Sequence, residues 1–122
     1  MNTQALICVV DDDAALRDSL TDLLRAVGYR AACFKSTESF LESEERGSCG
    51  CVVADIHMSG LTGIELARRI TAATDAPKVI LITGHIEEFW REQALYSGAT
   101  GFLRKPIEPK TLLDLIERSI GT

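Results

Sequence analysis

Apolar residues in this chain alternate between short unbroken runs and helical stripes. Ala5-Leu6-Ile7-Cys8-Val9-Val10, Gly50-Cys51-Val52-Val53-Ala54 and Val79-Ile80-Leu81-Ile82 are runs too short for buried helices and rich in β-branched residues, so they predict buried strands. Tyr29-Arg30-Ala31-Ala32-Cys33-Phe34 and Thr100-Gly101-Phe102-Leu103-Arg104 predict two weaker strands. Between them the period changes. Leu16, Leu20, Leu23, Leu24 and Val27 fall on one helical face that Gly28 ends. Asp13 is the expected N-cap of that helix, and Ser36 that of a short second helix carrying Phe40 and Leu41 and closed near Gly47. Thr62-Gly63-Ile64-Glu65 has the form of a capping box, with Leu66, Ala67 and Ile70 facing inward behind it. A fourth helix is expected over residues 86–97, with a polar start and Gly98 at its end. Pro109 opens the fifth, which turns Leu112, Leu113, Ile116 and Ile120 to the core. Five strands alternating with five helices and joined by right-handed crossovers give a doubly wound parallel α/β sheet, most simply in the order 2-1-3-4-5.

At 122 residues the chain is expected to form one domain, spanning 1–122, without needing disulfides or a structural metal. Net charge is −5 with no basic tail, which argues against direct nucleic-acid binding by this chain. The first ten residues lack the positive start of a signal peptide, and no apolar stretch reaches membrane-spanning length. A cytoplasmic location is therefore expected. Cys8, Cys33 and Cys51 lie in or beside strand-like runs, and Cys49-Gly50-Cys51 has neither zinc-knuckle nor thioredoxin spacing. Reduced thiols are expected.

The polar residues that interrupt this pattern gather at one place. Asp11 and Asp12 follow the first strand, Asp55 ends the third, Thr83 ends the fourth and Lys105 follows the fifth. Open α/β sheets keep their sites at the C-terminal strand ends, beside the point where strand order reverses. There the first and third strands are neighbours, so three carboxylates are expected to converge. At ~4 Å and an effective dielectric of ~20, each like-charged pair costs ~4 kcal/mol, so the cluster calls for a cation. Its oxygen donors favour a hard divalent ion, Mg²⁺ above others. Thr83 and Lys105 stand opposite as partners for the oxygens of an anion.

Val9-Val10-Asp11-Asp12-Asp13, the stretch from Asp55 to Gly63, Ile82-Thr83-Gly84 and Phe102-Leu103-Arg104-Lys105-Pro106 occur together in the order and spacing of two-component response regulator receiver domains. The chain resembles that family over its whole length, most of all the receivers of nitrogen-fixation regulators. The resemblance implies a flavodoxin-like (βα)5 fold and a phosphorylation-activated signalling switch, not an enzyme acting on other substrates. By resemblance Asp55 is the phosphoacceptor, and Mg²⁺ is held by Asp11, Asp12, Asp55 and the backbone carbonyl of His57, with Asp11 acting mainly through water. Lys105 offsets charge on the transferring phosphoryl group, Thr83 hydrogen-bonds it, and Phe102 rotates toward the space Thr83 vacates. His57 and His85 flank the site and tune water access; as residues alone they read equally well as solvent-facing loop positions. The bond before Pro106 is expected to be cis. Where the family usually carries proline after the position of Met58, this chain has Ser59, which loosens the loop.

The implied partners are a histidine kinase or phosphotransfer protein and, on phosphorylation, a second copy of the chain or an output partner on the helix 4, strand 5 and helix 5 face. Transcription regulation enters through the helix-turn-helix domains that usually follow such receivers. A stripe of short side chains on the first helix, Ala15, Ser19, Asp22 and Ala26, is a candidate surface for a kinase helix, and equally the flank of the core. The competing reading is a Mg²⁺-dependent phosphohydrolase with an aspartyl-phosphate intermediate. Such enzymes typically place a second Asp two residues after the nucleophile; here that residue is His57. A third, a degenerate receiver used only for protein binding, conflicts with the complete set of acids, Thr and Lys.

Overall fold

The computed structural model describes residues 5–58, 60–72, 76–84 and 88–121, with the backbone alone at 88–90 and 95. Strands β1 (Leu6–Val10), β2 (Arg30–Phe34), β3 (Cys49–Asp55), β4 (Lys78–Thr83) and β5 (Gly101–Arg104) alternate with helices α1 (Ala14–Ala26), α2 (Thr37–Leu41), α3 (Gly63–Thr71), α4 (Glu88–Tyr96) and α5 (Pro109–Ile120). All four strand pairings are parallel and the order is β2-β1-β3-β4-β5. The expected α/β architecture and strand order are both observed.

The unbroken apolar runs are explained by helices on both faces of the sheet. Leu6, Cys8, Val10, Val52, Ala54, Val79 and Leu81 pack on one face with Phe40 of α2, Leu66 and Ile70 of α3 and Ala94 of α4. Ile7, Val9, Cys51, Val53, Ile80 and Ile82 pack on the other with Leu20 and Leu24 of α1 and Leu112 and Ile116 of α5. The helix starts follow the local chemistry. The Asp13 carboxylate accepts the Ala15 and Leu16 amides at 3.0 and 3.3 Å, Ser36 accepts that of Ser39 at 3.0 Å, and Thr62 that of Glu65 at 3.2 Å. Glu108 caps α5 through the amides of Lys110 and Thr111, with Pro109 at the first helical position.

Boundaries moved by a residue or two, as hydrogen bonding decided them. A 3-10 turn over Glu45–Ser48, which periodicity did not predict, joins α2 to β3. The expected start of the fourth helix lies outside the described residues, as do Ser59 and His85. All four cysteines are free thiols, with Cys33 exposed on β2 and the rest buried. No described helix is long and apolar enough to cross a membrane.

Candidate functional site

Parity along the strands decides which side chains meet. On β1, Ile7 and Val9 face α1 and α5; the Asp11 amide still donates to Phe34 O at 3.1 Å, so Asp11 follows them to that face. Cys51 and Val53 carry Asp55 the same way. Leu103 carries Lys105, whose amide extends the β4–β5 ladder by donating to Thr83 O at 2.8 Å. Because every strand is parallel, the three side chains also share one edge of the sheet. They meet there.

Lys105 Nζ lies 2.6 Å from Asp55 Oδ2 and 3.7 Å from Asp11 Oδ2. The other oxygen of Asp55 accepts the His57 amide at 2.9 Å, so the carboxylate is held at both ends. Asp55 is 5% exposed and Asp11 fully buried. Asp11 Oδ1 accepts the Asp13 amide at 2.8 Å, whereas Oδ2 has no hydrogen-bond partner. Arg17 of α1 donates to the Asp11 carbonyl at 2.8 Å. The lysyl bond between residues 105 and 106 is cis, as expected.

Burial pushes the Asp11 carboxyl up to about 6; the Asp13 amide and Lys105 pull down, while Asp55 and Asp12 add repulsion. Burial works against the Lys105 ammonium too, but its hydrogen bond to Asp55 and the nearby carboxylates outweigh this and hold it above its ordinary range.

The convergence differs in one respect from the expected trio of acids. Asp12 is exposed, and among the described residues no group of three or more His, Cys, Asp and Glu side chains is gathered closely enough to hold a metal ion. Lys105 bridges Asp11 and Asp55 instead, supplying in this arrangement the positive charge that the pair requires. The donor set nevertheless fits a hard cation: carboxylate oxygens and loop carbonyls, with one buried oxygen of Asp11 lacking a hydrogen-bond partner.

Thr83 is fully buried and belongs to the opposite parity. It follows Val79 and Leu81 toward α3 and α4, the face on which Phe102 packs half-buried beside the core. Thr83 and Phe102 therefore share one side of the sheet while Asp55 and Lys105 share the other. His57 contributes its amide to Asp55, and its side chain is half-buried.

Beside Lys105 a groove of about 390 Å³ runs between α1 and the segment after β5. Leu16, Leu20, Leu23 and Ile107 give it an apolar floor. Of the short-chain stripe proposed for partner binding, Ser19 borders it; Ala15, Asp22 and Ala26 do not. Leucines assigned wholly to the core face supply the surface instead, because the α1 stripe is wider than the sheet it covers. Periodicity missed Arg17 as well: a cation six residues beyond Asp11 carries no sequence signal of its reach to that carbonyl.

The response regulator receiver domain family matches residues 7–117. The chain belongs to this family. It is 41% identical over 120 residues to the transcriptional regulatory protein FixJ of Bradyrhizobium diazoefficiens, a match covering 98% of this chain and 58% of that relative. The crystal structure of FixJ-N is similar at a TM-score of 0.85 and 29% identity, covering 96% of this chain and 94% of that one. A BeF3-activated DrrB receiver domain is similar at a TM-score of 0.87 and 29% identity, covering 96% and 97%. The chain spans little more than half the length of the curated relatives it matches. It is a receiver domain of the two-component type, and those relatives are regulatory proteins.

Proposed function

We propose that this receiver is a phosphorylation-activated switch in which Asp55 accepts a phosphoryl group from a histidine kinase or phosphotransfer protein. One observation carries the reading: a buried Asp55 carboxylate held between the His57 amide and the Lys105 ammonium at the C-terminal edge of a parallel sheet. An Asp55 oxygen forms a bond to phosphorus as the phosphorus–nitrogen bond of the donor histidine breaks. The His57 amide fixes the orientation of the attacking carboxylate, and Lys105 offsets negative charge on the phosphoryl oxygens. Asp11, Asp12, Asp55 and the His57 carbonyl would hold Mg²⁺, which supplies further charge neutralisation. The Thr83 hydroxyl then hydrogen-bonds the acyl phosphate, and Phe102, on the same face, follows it. The similarity to a BeF3-activated receiver supports a switch of this kind.

The groove beside Lys105 is suited to the phosphodonor partner, since its apolar floor runs to the edge where Asp55 lies. Output is assigned to the α4–β5–α5 face, where Tyr96 is 83% exposed. Incubation with acetyl phosphate and Mg²⁺ should add a single acid-stable, base-labile phosphoryl group, and Asp55→Asn should abolish it. Mass mapping that places the phosphate on Ser59 or a histidine would refute the assignment.

A further inference from the structure

The loop that follows Asp55 is held from outside by a residue of α2. Glu38 Oε2 accepts the Leu61 amide at 3.2 Å, across 23 positions of sequence. Gly60, with φ of +80°, lays its backbone against the same carboxylate: a Cβ there would fall 2.7 Å from Glu38 Oε2 and 3.3 Å from Oε1. Only glycine adopts that φ without cost and also leaves this space. The base of the contact is firm, because Phe40, two residues on, is fully buried and packs edge-on against Phe34 at 5.4 Å. A Glu in the first turn of a helix ordinarily serves the helix N-terminus, but Ser36 already accepts the Ser39 amide there and the Glu38 carboxylate reaches away to the loop. The loop itself is pinned at one end by the Ile56 amide on Ile82 O at 2.8 Å and at the other by the Thr62 cap of α3.

We propose that Glu38 is a positioning residue that holds the loop after Asp55, and with it the His57 carbonyl, ready for the cation. The inference rests on the function proposed above and adds to it a contact that makes α2 part of the site's support. Its ligand-free test is amide exchange read by mass spectrometry: without metal, Glu38→Ala should speed exchange at Leu61 while lowering the melting temperature by no more than a few degrees. Mg²⁺ titrated with beryllium fluoride should then bind about fivefold more weakly to Glu38→Ala, the worth of a hydrogen bond of this kind. Glu38→Gln, which keeps an acceptor oxygen at the same reach, should restore most of the affinity. Unchanged Leu61 exchange or unchanged Mg²⁺ affinity in Glu38→Ala overturns the proposal. So does an equal loss in Glu38→Gln, which would make the effect one of charge alone. If wild type binds Mg²⁺ with beryllium fluoride no better than Asp55→Asn, the functional reading fails instead, and the metal-free exchange result still stands.

Discussion

Asp11 is where burial and charge conflict most sharply. A carboxyl with an ordinary value of 3.8 is held at about 6, chiefly by burial. The folded chain therefore binds this proton more tightly than the unfolded chain does. Its contribution to stability is complete below the unfolded value and disappears as pH rises through about 6. In EDTA, Asp11→Asn should be more stable than wild type at pH 7 by about 3 kcal/mol, converging on it near pH 4. Urea denaturation across that range checks this, and a pH-independent difference between the two proteins would reject the cause given. Gly63 makes a second single-residue constraint, since a Cβ there would strike the Asp55 carbonyl. Gly63→Ala should cost about 1–3 kcal/mol by overpacking and slow phosphorylation by displacing the nucleophile. Urea midpoints and acetyl-phosphate kinetics measure the two effects; wild-type values in both would mean that the strand end yields freely.

Among the elements, α4 is placed to respond to Thr83. It is joined to α3 by polar contacts, Arg68 to Gln93 at 2.9 Å and Thr71 to Ser97 O at 3.3 Å, with Ala94 buried beneath. On the proposed function, drawing Thr83 toward an acyl phosphate would act on the face that α4 and Phe102 cover and bias a two-state equilibrium. Trp90 belongs to α4 and is the chain's one tryptophan, so it reports on that helix. Beryllium fluoride with Mg²⁺ should change its emission in wild type, and Thr83→Ala should bind the mimic yet show much less change. Equal spectral shifts in the two proteins would remove Thr83 from the transmission.

For the molecule as a whole, the proposed function sets lysine and metal in balance at the site. Lys105 bridges Asp11 and Asp55 as they stand, and a cation that binds the native arrangement and not the unfolded chain stabilises it by mass action. At ~100 times its dissociation constant Mg²⁺ should add ~2.7 kcal/mol. Thermal melts should show this gain in wild type and a smaller one in Asp12→Ala; equal gains would exclude Asp12 from the ligand set. The sheet also separates two surfaces, with Lys105 and its groove toward α1 and α5 and Phe102 toward α4. Donor contact and output can thus be served by different sides of one small domain.

The strands, their parallel order and the residues of the acidic edge were legible in the sequence, because a strand buried on both faces must be apolar throughout and any polar residue at its end stands out. Asp55, Thr83 and Lys105 showed themselves in that way, and the caps Asp13, Ser36 and Thr62 by the local chemistry of helix starts. What each acid does next to the others was not legible. Only the assembled sheet decided that Lys105 lies between Asp11 and Asp55, that Asp12 remains exposed, and that Thr83 and Phe102 share the far face. Those outcomes depend on parity and register between paired strands, and Lys105 and Asp55 lie 50 residues apart, so no local pattern encodes them. The same is true of Arg17 on the Asp11 carbonyl and Glu38 on the loop after Asp55. Long polar side chains on exposed helix positions look alike in sequence, and tertiary packing alone determines which backbone groups they reach.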